Sequence, residues 1–445
     1  MNNRYSLSSS RVHVCVFLPT SATRKLQLKC LLCNVAQRMT QSNIKCSAVG
    51  GRNLNGTPIE RNKLLSDGKL SLESIMLQFL CGEQLKLEYA MEIVQQAALV
   101  LRTEPNALSI NDTVVVVGDI QGQYYDLVKI LVACGSLETT KYLFLGNYIG
   151  NGGFNLECIL FLLAAKVVYP QSLFLIRGSN ESKFMADVLQ LGEECQLKYS
   201  STLLPQILSA FNCLPLVAII EKKYFCVHSG LSPDVSHVDD IALIHRFRHI
   251  PTRGAMCDMV WSEPDWDTNN QLYSNIEEPS GETYVPRLGL FETRPLFITN
   301  KQRGLSYVFN FACAKRFVSA NNLLCIIRAH EVHELGFKLY RPHPNHLFPC
   351  IISLFSAPNY CSSFGNKGAV SVVSKETICF KQFEPSPHPC VLQGRNAFSW
   401  SLPFLESNLM SIFLTLLSGS DYDPTGADRS EKDSSNGEEG VTPLI

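Results

Sequence analysis

Along the chain, apolar residues recur at two periods. From residue 70 to 105, "LSLESIMLQFLCGEQLKLEYAMEIVQQAALVLRTEP" keeps them at helical spacing. This spacing predicts two helices, broken near Gly82 and ended at Pro105. Short β-rich runs follow, "TVVVVGD", "YLFLGN", "LFLIRG" and "YFCVHSG", alternating with helical stretches such as "DLVKILVAC" and "FNLECILFLLAAKVVY". The alternation is a βαβ rhythm and predicts an α/β body. Each strand runs out into a polar turn containing glycine, and the loops beyond the carboxyl ends of such strands are where sites are assembled. Residues 263–302 break the rhythm with turn residues and no clean period, and are expected to form a long surface insertion.

A different pattern closes the chain. After Pro403, Leu405, Leu409, Ile412, Phe413 and Leu416 share one helical face, and Met410, Leu414 and Leu417 make the opposite face apolar as well. A helix over 398–418 with both faces apolar cannot stand in water. It must fold onto its own domain or lie in another protein's groove.

Composition changes this picture mainly at the two ends. Over all 445 residues, 46% hydrophobic and 18% charged residues exclude wholesale disorder, and a net charge of -1 removes the basic field of a dedicated nucleic-acid binder. No acidic residue precedes Glu60, whereas Arg4, Arg11, Arg24, Lys25, Lys29, Arg38, Lys45 and Arg52 are basic. Residues 1–60 therefore read as a disordered basic extension, a composition that an organelle-import segment shares. Residues 419–445 are poor in large apolar side chains and rich in acidic ones, and read as a solvated tail. The 17 cysteines are scattered through apolar stretches, as with Cys158, Cys226 and Cys325. That distribution fits reduced thiols and a cytoplasmic location. Cys30 and Cys33 form one close pair with no second pair nearby to complete a zinc site. No apolar run reaches the ~18 residues of a membrane span.

The candidate chemistry sits in the loops. "GDIQGQ" at 118–123, "GNYIGNGG" at 146–153, "RGSNES" at 177–182, "HSGLSP" at 228–233, "RAHE" at 328–331 and "SAPNY" at 356–360 occur in this order. The series resembles the metal-dependent Ser/Thr protein phosphatases, whose loops read GDxHG, GDxxDRG, GNHE, HGG, RAHE and SAPNY. "CLPLVAII", "MCDMVWSEP", "QFEPSPHP" and "FSWSLPFLES" are similar to the calcineurin branch. The resemblance implies a metallophosphatase fold over 61–397, a central β-sandwich flanked by helices, followed by an extended partner-binding helix. It also implies a partner, an EF-hand calcium-binding regulatory subunit embracing that helix. Trp400 and Phe404 match aromatics of a docking-peptide pocket.

The family hydrolyses phosphoserine and phosphothreonine with two divalent ions, iron with zinc or manganese. Of the ligand positions that the resemblance implies, Asp119, His228 and His330 match, while Gln121, Asn147 and Ser179 replace a histidine, the bridging aspartate and an asparagine. An amide is a far poorer transition-metal ligand than an imidazole. The acid histidine is Asn180 and its supporting aspartate is Gly150. Among phosphate-clamping positions, Arg303 and Tyr360 match and Asn151 does not. The expectation is no metal or one weakly held ion, and a pseudophosphatase that binds its regulatory subunit, with phosphoproteins or docking peptides as further ligands. An active phosphatase of reduced or single-metal activity is the alternative. The survivors also admit plainer roles: Asp119, between Gly118 and Gly122, fits a cap on a strand-to-helix turn, and the two histidines fit a buried core.

Overall fold

The structure, a computed structural model, describes residues 13–17, 65–66, 69–265, 296–340 and 348–388. The chain divides into a unit of residues 1–389 and a second of residues 390–445. The second lies outside the described residues, and with it the expected helix over 398–418, Trp400, Phe404 and the acidic tail.

Val114–Val117 are four buried valines in a row. A β-branched run with no polar face belongs in a strand covered on both sides. It lies inside a sheet, pairing in parallel with Lys141–Phe144, which pairs in parallel with Leu173–Leu175. On its other side come Gly368–Val373 and then Thr377–Phe383, both antiparallel to their inner neighbours. A second sheet of six strands runs Phe337–Tyr340, Ile351–Leu354, Cys325–Arg328, Tyr224–Val227, Val217–Ile220 and Ala107–Ile110. Val114, Val116, Leu143 and Phe380 of the first sheet share a buried cluster with Ile110, Cys226, Ile327 and Leu354 of the second. The body is therefore a β-sandwich. The outer face of the second sheet, with Phe225, Val227 and Ile326, packs against Met256, Met259 and Phe317 from two helices.

The helical pair forms where the spacing places it, over Leu72–Leu80 and Leu87–Thr103, with Gly82 at φ +76° between them. The helix Asn155–Val168 is buried almost throughout, and Lys166 inside it donates to Glu104 and to the carbonyls of Pro170 and Leu173. Cys158, Cys226 and Cys325 are buried free thiols whose pKa values burial raises.

Two expectations change. Within the stretch read as a basic, disordered extension, His13–Phe17 form an edge strand parallel to Thr377–Lys381. The alternating Val14 and Val16 give that segment strand character. At 263–302, both ends of the expected surface insertion belong to the body: Glu263–Pro264, Phe297–Thr299 and Tyr307–Phe309 make a three-stranded sheet, and Glu263 and Asn300 are buried. Residues 266–295 lie outside the described residues.

The motif loops all follow carboxyl ends of strands in one sheet or the other, and the two sheets meet there. Asp119 bridges to Phe355 across the sandwich. Gly118 permits that approach, since a Cβ on it would lie 2.5 Å from the carbonyl oxygen of Leu354. Gly118→Ala should therefore separate the sheets and lower stability by about 1–3 kcal/mol. A shift of the urea midpoint without a change in slope is the expected readout.

Candidate active site

Asp119 is fully buried where the sheets meet. Its Oδ2 accepts from Gln121 Nε2 and from Asn147 Nδ2, each at 2.8 Å, and its Oδ1 accepts the backbone N–H of His330 at 3.0 Å. The capping role is corrected by this geometry. The following helix begins at Tyr124 with Gln123 as its cap residue, and the Asp119 carboxylate is taken up by Gln121, Asn147 and His330 instead. Gln121, Asn147 and His330 have φ values of 56°, 53° and 74°. Left-handed backbone at three non-glycine positions is strain that persists only where the surroundings over-determine it.

Asn147 faces both ways. While its Nδ2 donates to Asp119, its Oδ1 accepts the backbone N–H of Asn180 at 2.8 Å and the Ser179 hydroxyl at 3.1 Å. Asn180 Nδ2 donates to the Ile149 carbonyl at 2.7 Å and to Gln121 Oε1 at 3.3 Å.

His228 and His330 lie next to this amide network. His228 Nδ1–H donates to the Leu145 carbonyl at 2.7 Å, which leaves Nε2 as the acceptor, 3.1 Å from Nδ1 of His330. Ser179 Oγ is 3.4 Å from both rings. His330 Nε2 has no hydrogen-bond partner among the described residues and lies 3.8 Å from Glu263 Oε1. Burial lowers the pKa of both imidazoles, His228 to about 4 and His330 well below its ordinary value. Both are therefore neutral at pH 7.

The positions expected to clamp phosphate stand at the rim. Arg303 donates Nε and Nη2 to one oxygen of Glu263 at 3.0 and 2.7 Å, and Asn300 Nδ2 donates to the other at 3.0 Å. Asn151 Nδ2 donates to the Tyr360 hydroxyl at 2.9 Å. The structure thus gathers Asp119, Gln121, Asn147, Ser179, Asn180, His228 and His330 into one network, with Gly150 against Gln121 and Arg303 held beside it through Glu263.

A pair of dications does not fit this donor set. The one carboxylate already accepts three N–H groups, and Asn147 is uncharged where the ions would need a shared anion. The imidazole nitrogens that would face an ion are hydrogen-bonded to each other. Among the described residues no three His, Cys, Asp or Glu side chains gather around a point.

Some residues that shape the site escaped the motif reading. Glu263 orients Arg303, and the Trp261 ring stands edge-on to His330 at 5.4 Å. Glu181 is buried and accepts backbone N–H groups of Asn147, Tyr148 and Gly178 at 2.7–3.0 Å; burial raises its carboxyl to about 7 against their pull. Arg177 donates to the Glu181 carbonyl, and Arg328 donates to Ser229 and Glu331. The available signal was a charged residue inside each apolar-flanked motif, which burial obliges to find partners.

Comparison with known proteins places these features in context. The family model described as calcineurin-like phosphoesterase matches residues 113–334. Two curated relatives are the serine/threonine-protein phosphatase 2B catalytic subunits A2 and A1 of Saccharomyces cerevisiae. Each is 35% identical, over 339 and 335 residues, covering 75% of this chain and 56% and 58% of theirs. The chain thus spans a little over half the length of those relatives. A solved protein serine/threonine phosphatase from Saccharomyces cerevisiae, described as similar to human phosphatase PP5, superposes with a TM-score of 0.61 at 26% identity, covering 72% of this chain and 98% of that one.

The buried histidines make a pH prediction. A folded-state pKa below the unfolded one means that the native state holds fewer protons, so stability is lost as pH falls. For His228 alone the loss should reach about 1.4 kcal/mol per unit between pH 6.5 and about 4. Urea midpoints compared with those of His228→Asn should show a flatter acid limb in the variant.

Proposed function

Because the chain belongs to the calcineurin-like phosphoesterase family, within the Ser/Thr protein phosphatases, we propose that it is a pseudophosphatase: a binding module on a phosphatase scaffold, without turnover. The observation that carries this reading is the state of Asp119, whose carboxylate is satisfied by the amides of Gln121 and Asn147. Metal-assisted hydrolysis of a phosphate ester needs two ions about 3.5–4 Å apart to generate hydroxide and hold the phosphoryl oxygens. It also needs a group to protonate the leaving oxygen, a step commonly worth 10²–10⁴-fold. The Asn180 amide does not ionise near neutral pH and so cannot serve as a general acid, and Gly150 offers no carboxylate to support one.

The partner follows from the family and from the apolar pattern of 398–418. The relatives are catalytic subunits by name. In this proposal the segment carrying Leu405, Leu409, Ile412, Phe413 and Leu416 seats in the groove of an EF-hand calcium-binding subunit, and Trp400 with Phe404 receives docking peptides at that joint. Phosphoproteins are the further ligand class, held through Arg303 and Tyr360. A cytoplasmic location accompanies this reading, from the buried free thiols Cys158, Cys226 and Cys325. A phosphatase of reduced or single-metal activity is the second reading, favoured by the survival of Asp119, His228 and His330 in one network, where His330 N–H donates to Asp119 and its ring adjoins that of His228.

Elemental analysis and phosphopeptide hydrolysis decide between them. The expected result is less than one tightly bound transition metal per chain, and a release rate that is the same for Asp119→Ala as for wild type. A rate that falls in Asp119→Ala overturns the pseudophosphatase. Independently, calcium-loaded EF-hand protein should retain the wild-type chain and release Phe413→Asp; equal retention of both refutes groove insertion.

A further inference from the structure

Missing ligands are one obstacle to a metal ion, and a filled cavity is another. Gln121 is only 6% exposed, and its side chain reaches two of the other site positions at once. Nε2 donates to Asp119 at 2.8 Å, and Oε1 accepts from Asn180 at 3.3 Å. The same side chain lies against Gly150. A Cβ built there would stand 1.9 Å from Gln121 Oε1 and 2.8 and 2.9 Å from its Cα and Cβ. Gly150 is not among the glycines with positive φ, so its backbone does not demand glycine. Space does: the room that a side chain at 150 would need is taken by Gln121.

The surrounding backbone holds this arrangement shut. Gln121 N–H and Gly122 N–H donate to the carbonyls of Asn147 and Tyr148, each at 2.9 Å, and Gly152 N–H donates back to the Gln121 carbonyl at 2.7 Å. The two loops are laced together over the carboxylate. A cation approaching Asp119 Oδ2 would meet the positive end of the Gln121 amide dipole. It could bind only by displacing that N–H and leaving it buried without an acceptor.

We infer that Gln121 is a metal-excluding residue. Its amide plugs the cavity between the two loops and keeps divalent ions from the donors that survive, Asp119, His228 and His330. Gln121 Oε1 also gives residue 180 a hydrogen-bond acceptor in the space left at Gly150, so one side chain both closes the cavity and anchors Asn180. This role rests on the pseudophosphatase reading and deepens it: the site is closed to metal, beyond being short of ligands.

The test uses the full chain and two variants, Gln121→His and Gln121→Ala, with Mn²⁺ or Zn²⁺ as the probe. Circular dichroism first establishes that each is folded, and calorimetric titration with elemental analysis then reads the ion. Both variants should bind one ion about tenfold or more tighter than wild type, Gln121→His the tighter of the two, and added Zn²⁺ should raise the Tm of the variants alone. If Gln121→His does not fold, Gln121→Ala carries the same test. Gains smaller than this in folded variants overturn the inference, because the lost ligands would then suffice by themselves. Two ions retained by wild type would instead overturn the pseudophosphatase reading, so the two failures are distinguishable.

Discussion

A buried carboxylate must have its charge answered, and at the junction of the two sheets that carboxylate is Asp119. In the family the answer is a pair of metal ions, whose mutual repulsion at this spacing is about 16 kcal/mol at an effective dielectric of 20, taking the unit-charge figure fourfold. Only shared anions can offset such a term. Here the answer is three N–H groups, from Gln121, Asn147 and the backbone of His330. They are neutral donors, which satisfy one negative charge without adding a positive one. With Asn147 uncharged, the site has no anion to place between two ions, and with Asp119 already satisfied it has little drive to recruit one.

The scaffold around this centre is held by contacts of its own. Glu181 gathers the backbone of the 146–149 and 177–179 loops, Arg177 ties that region to Asn212 and Arg248, and Arg328 fastens the 228–230 loop to Glu331. These contacts stand one step behind the ligand positions. The catalytic set can therefore change while the loops keep their places, and a chain with a substituted centre still presents the rims, with Tyr360 and Arg303, in folded form. A binding role needs the rims alone.

Much of the fold and part of the site were legible in the sequence, for reasons that particular residues make plain. The four valines at 114–117 and the helical spacing broken at Gly82 are local periodicities, and local periodicity survives into structure when burial enforces it. The loop motifs announced their shared location because each follows a strand. The strand His13–Phe17 was hidden because its partner, Thr377–Lys381, is distant in sequence and its flanks are basic and polar. Glu263 was hidden for a related reason: it borders a long aperiodic segment, and only the pairing of residues 263–264 and 297–299 with 307–309 brings it to Arg303 and His330. Sequence also showed that Gln121 and Gly150 were each unusual, but not that one occupies the other's space.

That last contact bears on why the replacements are amides. Had Gln121 and Asn147 been apolar, Asp119 would have kept a single backbone donor, and an under-satisfied buried charge destabilises by several kcal/mol. Conversely, an apolar residue at 119 would have left the two amides and the His330 N–H without an acceptor. The substituted residues are thus compatible with one another and not with the ligands they replace. Each amide supplies a donor to Asp119 and an acceptor to a neighbour, Asn180 or Ser179. A site merely decaying would accumulate unsatisfied groups. Among the described residues of this network the buried side-chain polar atoms are paired except His330 Nε2, which lies 3.8 Å from Glu263 Oε1. On the proposed reading, this hydrogen-bond pattern is what allows the substituted centre to fold with its carboxylate answered by amides.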